Sequence, residues 1–119
     1  MMETTNPPGE VDHSACLRFQ NAIELIGRRW TGAIIFVLMQ GPANFSEILP
    51  RVPELRDRLL SERLKELEDA GIVTREVLPL RPPSVRYALT EKGRALAPVL
   101  ESITEWIDGW PEKASSQTD

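Results

Sequence analysis

The chain contains one cysteine and one histidine. A lone thiol rules out an intrachain disulfide, and the two residues together cannot supply the ligand set of a structural metal site, so neither metal nor cofactor is expected. Catalysis is poorly provided for too. His13 and Cys16 lie three residues apart, but no third group stands ready to orient the imidazole and no oxyanion donor is identifiable, so the chain reads as a non-enzyme. No apolar run approaches the roughly 18 residues of a membrane span. The start, MMETTNPPGEVDH, lacks the charged and apolar regions of a signal peptide. The expectation is a cytoplasmic protein with no membrane contact. Basic residues are not in excess: 14 Lys and Arg against 18 Asp and Glu leave a net charge of -4, which excludes a uniformly basic nucleic-acid binder.

What is present fits one soluble domain. The 119 residues are 41% hydrophobic and 27% charged, enough for one core and too few for two. Charge is unevenly spread. Residues 16–30 hold Arg18, Arg28 and Arg29 against Glu24, and residues 71–90 hold Arg75, Arg81 and Arg86 against Glu76. Local patches govern steering, so an acidic chain can still present a cationic surface.

The most informative stretch is Leu55 to Gly71. Leu60, Leu64 and Leu67 recur at helical spacing and face a core. Arg58, Ser61, Glu62 and Lys65 rotate away from them, with Arg56 at the entry and Arg63 on the flank. The acids Glu66, Glu68 and Asp69 crowd the end, opposite to what a helix dipole prefers. A polyanion docking at the N-terminal half would favour that order. An ordinary solvated helix face is the plainer alternative.

The neighbouring segments give the stretch its context. Residues 1–12 read as a flexible arm, 13–110 as the domain and 111–119 as a flexible tail. Ser14 is placed to cap a first helix carrying Cys16, Phe19, Ile23 and Ile26 on one stripe, closed by Gly27. Thr31 is placed to cap a second, GAIIFVLM, apolar almost all round and therefore central. Asn44 and Glu47 have capping-box spacing for a short third helix. It stands just before the Leu55 helix, which makes a helix-turn-helix. IVTREVL and SVRYAL alternate as strands around a proline-rich tip bearing Arg81, which makes a β-wing. Thr90 caps a last helix, bent by Pro98, with Leu96, Val99, Leu100, Ile103, Trp106, Ile107 and Trp110 on a broad apolar stripe. So wide a stripe on a terminal helix points to self-association, with packing inside the domain as the plainer alternative.

The resulting fold class is mainly α with a small β-wing, a winged helix-turn-helix. The segments LIGRRWT (25–31), GP (41–42) with FSEI (45–48), LSERLKEL (60–67), GIV (71–73) and VRYALTEKG (85–93) resemble the HxlR-type branch of bacterial winged-helix regulators, close to the MarR group. The resemblance implies a homodimeric transcription factor, its first and last helices forming the dimer interface, that places one recognition helix per subunit in successive major grooves of double-stranded DNA. The implied role is that of a repressor or a signal-responsive switch acting on a pseudo-palindromic operator.

On that footing Arg56, Arg58 and Lys65 neutralise phosphates, and Ser61 and Glu62 face base edges. Leu59 meets a thymine methyl, and Arg81 tracks a minor groove with Ser84 and Arg86 behind it on the wing. Arg63 either reaches the DNA or braces the helix against the wing. Three departures from the family pattern stand out: Arg56-Asp57 where serine and proline are common, with Asp57 an alternative cap; Leu59 for threonine; and Glu62 for glutamine, a carboxylate that can pair with Arg58. Family members often carry a sensor cysteine near the start of the first helix. Cys16 is therefore a candidate thiol switch or, on its apolar stripe, a buried structural residue, and Leu17 replaces the proline that often follows the sensor. Trp30, Trp106 and Trp110 are candidates to line an effector pocket at the dimer interface, for a small molecule or an electrophile. A winged-helix module that binds protein instead of DNA is the alternative function.

Overall fold

The computed structural model describes residues 9–110. Most of the expected arm and all of the expected tail lie outside the described residues. Helix α1 (His13–Ile26) has no buried residue. Its cap is Asp12 and not Ser14: Asp12 Oδ2 accepts a hydrogen bond from the Ala15 N–H at 3.1 Å. A carboxylate at that position also complements the helix dipole, which a serine inside the first turn does not.

Helix α2 (Thr31–Met39) is the centre of the fold, with Ile34, Ile35, Val37 and Leu38 buried. Thr31 does not cap it. The cap position belongs to Trp30, which is left-handed at φ 74° and gives no side-chain hydrogen bond, while Thr31 is buried inside the helix. A left-handed tryptophan costs about 1–2 kcal/mol. Packing of its indole against the core, under the Arg29 guanidinium 5.2 Å from the ring centroid, opposes that cost.

Strand β1 (Ala43–Asn44) leads into α3 (Phe45–Ile48). The capping box forms as its spacing predicts: Asn44 Oδ1 accepts from the Glu47 N–H at 2.8 Å, and Glu47 Oε1 accepts from the Asn44 N–H at 2.9 Å. A 3₁₀ turn, Leu49–Arg51, follows. Helix α4 (Asp57–Asp69) starts two residues later than Leu55, and its cap is Arg56, without a side-chain bond; Asp57 lies inside the first turn. Leu60, Leu64 and Leu67 are at most 2% exposed. The helix stops at Gly71, whose φ of 77° lets its N–H reach Glu68 O while the Ile72 N–H reaches Leu67 O. Both bonds satisfy carbonyls that the helix end leaves unpaired.

Strands β2 (Val73–Leu78) and β3 (Ser84–Leu89) pair antiparallel from Val73 opposite Leu89 to Leu78 opposite Ser84. β1 joins the other edge of β3, Ala43 opposite Tyr87, so the sheet runs β1-β3-β2. Thr90 caps α5 (Glu91–Arg94), accepting from the Gly93 N–H at 3.0 Å. The expected single terminal helix is two. The chain leaves α5 at Ala95, and α6 (Ala97–Asp108) begins with Pro98 in its first turn, where its missing N–H has no helical partner to lose. Proline here starts a helix and bends none.

The segment from Thr90 to Gly93 clasps the end of α4. Thr90 Oγ1 donates to Gly71 O at 2.6 Å, and Lys92 Nζ donates to Ala70 O at 2.8 Å. Gly93 is buried against the Ile72 carbonyl, where a side chain would overlap the oxygen.

Candidate nucleic-acid interface

The leucine stripe fixes α4 by one side, which leaves Arg56, Arg58, Ser61, Glu62 and Lys65 exposed on the other. Arg56, Arg58, Leu59 and Glu62 come together with Glu54 around a shallow concavity of about 280 Å³ at the start of the helix. Leu59 is half-buried and packs against the core edge. Two of the cations have acidic partners: Arg58 Nε stands 3.7 Å from Glu62 Oε2, the pairing that the i, i+4 spacing predicts, and Lys65 Nζ stands 3.4 Å from Asp69 Oδ1. Exposed pairs of this kind hold by only a few tenths of a kcal/mol and open readily.

On the wing, Ser84 and Arg86 line a concavity of about 340 Å³ with Asn44, Glu47, Leu78 and Leu80, between α3 and the hairpin. Arg86 Nη2 pairs with Glu76 Oε1 at 2.9 Å, while Arg56, Arg75 and Arg81 form no ion pair among the described residues. Arg81 is exposed at the hairpin tip.

Arg63 is not part of this surface. It is 7% exposed, and its Nε donates to Arg29 O at 3.0 Å while Nη1 donates to Glu66 Oε2 at 3.2 Å. It braces α4 against the turn between α1 and α2, not against the wing. Its place on the helical wheel, between the leucine stripe and the outer face, left that choice open. The network's other members, Arg28 and Glu66, are not marked as site residues by composition or periodicity. The available signal was Glu66 three residues beyond Arg63, on the same side of the helix.

Cys16 is exposed within the protomer, so it is not a buried structural residue there. Its own N–H is bonded to Asp12 O at 2.9 Å, and the helix start beside it carries the Asp12 carboxylate, which caps the Ala15 N–H. The three tryptophans do not assemble into a pocket within one chain. Trp30 is turned into the core, whereas Trp106 and Trp110 are 67% and 75% exposed on and just beyond α6. The apolar cavities of about 360 and about 330 Å³ flanking β3 and α5 have no tryptophan in their walls.

Residues 25–115 match the HxlR-like helix-turn-helix family. The chain belongs to this family. Over 95 residues it is 47% identical to the uncharacterized HTH-type transcriptional regulator YvaP of Bacillus subtilis, covering 80% of this chain and 88% of that one. Over 100 residues it is 46% identical to the HTH-type transcriptional regulator YodB of the same organism, with 84% and 89% covered. The reduced form of YodB superposes with a TM-score of 0.75 at 47% identity, over 82% of this chain and 95% of that chain; structures of diamide-treated and quinone-bound YodB also match. The redox regulator HypR in its reduced form gives 0.72 at 36% identity, over 77% and 91%, and its oxidized form matches as well. This HxlR-like chain is thus a helix-turn-helix transcriptional regulator with a winged-helix fold, in a family of regulators and not of enzymes. No helix among its described residues is long and apolar enough to cross a membrane.

Proposed function

We propose that the protein binds double-stranded DNA as a homodimer in the cytoplasm and releases it in response to thiol chemistry at Cys16, acting as a repressor or switch. The observation that carries the DNA reading is the division of α4: three leucines at most 2% exposed on one side, and Arg56, Arg58, Ser61, Glu62 and Lys65 all exposed on the other. Long cations beside short hydrogen-bonding groups suit phosphates and base edges together. A two-fold dimer would present two such helices to half-sites about 34 Å apart.

The test is a gel shift on the DNA upstream of the protein's own coding sequence, at two salt concentrations. Each lysine or arginine on a phosphate releases counterions, so Arg81→Ala is expected to weaken binding to every sequence and flatten the log-log salt slope by about one unit per subunit. Ser61→Ala is expected to change sequence preference with little change in slope. Equal behaviour of both variants on specific and random DNA would contradict the assignment of wing and helix. The rival reading, a protein-binding winged helix, draws on the acidic partners of Arg58, Lys65 and Arg86; it gains if no duplex is retained at low salt.

Support for the switch comes from the exposed thiol and from YodB and HypR, whose structures include diamide-treated, quinone-bound and oxidized forms. With a single cysteine per chain, the chemistry is limited to alkylation, a mixed disulfide with a small thiol, or a bond between subunits. In quinone addition the thiolate sulfur forms a bond to a ring carbon, and the ring takes up a proton to become a hydroquinone thioether. Titrating a quinone into the protein bound to DNA should release wild type and leave Cys16→Ser bound. Wild type that stays bound with its thiol modified would end the switch.

A further inference from the structure

The turn joining α1 to α2 is held from the side by α4. Arg63 is committed twice, to Arg29 O and to Glu66 Oε2. The other oxygen, Glu66 Oε1, lies 3.1 Å from Arg28 Nε without an aligned hydrogen bond, so that contact is charge pairing. One carboxylate therefore stands between two arginines from two different elements. The clamp also closes on a strained turn, since Trp30 beside it is left-handed.

Helix α1 itself has no buried residue; only Leu25 and Ile26, at its end, are half-buried. It is attached to the domain beside the clamp, while the rest of its length exposes Leu17, Phe19 and Ile23. That is the geometry of a lever. The 27–30 turn follows α1 directly, and its Arg29 carbonyl is bonded to α4.

We infer that Arg28, Glu66 and Arg63 are positioning residues for DNA reading: the clamp sets the angle of α4 to α1 and carries displacement of α1 into α4. The inference rests on the DNA-binding reading above. Arg63 is buried and Glu66 is anionic, so neither serves as a phosphate contact, while Arg28 is placed in the clamp by its pairing with Glu66, and the salt slope separates that role from a phosphate contact. Their effect is on how the outer face of α4 meets base edges, with the phosphate contacts themselves unchanged.

Arg63→Met would leave a carboxylate short of its partner in a half-buried site and risks unfolding, so the test uses Arg28→Met, Glu66→Gln and the double variant. A random duplex library is first selected with the full-length wild type. The enriched duplex and a scrambled duplex of equal length are then titrated with each protein at several salt concentrations, with thermal unfolding as a control. Arg28→Met should lower the preference for the enriched duplex by roughly tenfold, within the range of coupling through packed networks. The salt slope should stay that of wild type. Glu66→Gln should lose as much, and the double variant no more than either single one, because all three break the same linkage. A slope lowered by about one unit per subunit would make Arg28 a DNA contact and overturn the clamp. Additive losses, or an unchanged preference, would overturn it too. A wild type that enriches nothing removes the DNA-binding reading and this inference with it, whereas enrichment unaffected by Arg28→Met removes the clamp alone.

Discussion

Ile107→Asp is expected to sediment as a monomer and to lose retention of operator DNA. Helix α6 exposes Val99, Ile103, Trp106 and Ile107, followed by Trp110, and α1 exposes Leu17, Phe19 and Ile23. Buried in a two-fold contact, each such side chain contributes about 1.5–3 kcal/mol. Ile107 is 49% exposed, near the C-terminal end of its stripe. A two-fold interface receives the substitution twice, and each carboxylate brings a desolvation penalty as well as the lost methyl contacts. The two copies together cost at least about 5 kcal/mol, a fall of three to four powers of ten in association. Ultracentrifugation with a circular dichroism control measures it. A dimer of unchanged strength would remove α6 from the interface.

Gly93→Ala is expected to have the largest effect on folding. The Cβ would overlap the Ile72 carbonyl oxygen and press on Leu89 Cδ2 at 3.1 Å. The oxygen is held in place because it accepts from the Thr90 N–H at 2.9 Å. Separation of α5 from the end of α4 is the only relief. That breaks the clasp and costs about 3 kcal/mol, at the upper end for overpacked sites, which lowers the unfolding midpoint by roughly 10 °C in a domain of this size. Thermal unfolding checks it, and a midpoint within a degree of wild type would refute the close approach.

Much of this architecture is legible in the sequence because its signals are local and repeated. The leucines of α4, the Asn44–Glu47 box and the alternation on both sides of the wing each declare an element over several residues. Strand β1 is two residues long, too short for an alternating pattern, and is defined only by its pairing with β3. Caps are one-residue decisions: Ser14 and Thr31 have suitable side chains, but Asp12 carries a stronger acceptor two residues earlier, and Trp30 is drawn into the core at the expense of Thr31. The break at Ala95 is hidden because Leu96, Val99 and Leu100 continue helical spacing across it. Site residues divide the same way. The outward face of α4 follows from its inward face, whereas the network joins Arg63 and Glu66 on α4 to Arg28 and the Arg29 carbonyl far back in the chain, which spacing alone does not bring together.

The acid partners of Arg58, Lys65 and Arg86 bear on how quickly a regulator finds its target. Any cation that must first leave a carboxylate gains less from a chance phosphate than a free one, and the carboxylate left behind repels the strand. On random genomic duplex, where nothing compensates that loss, residence is short and the molecule returns to solution to sample elsewhere. At a matched site, base-edge bonds hold the helix long enough for the pairs to exchange. Acidic neighbours on a DNA-reading face would thus trade grip for turnover, and a chain with a net charge of -4 would spend little of its time trapped on the wrong sequence.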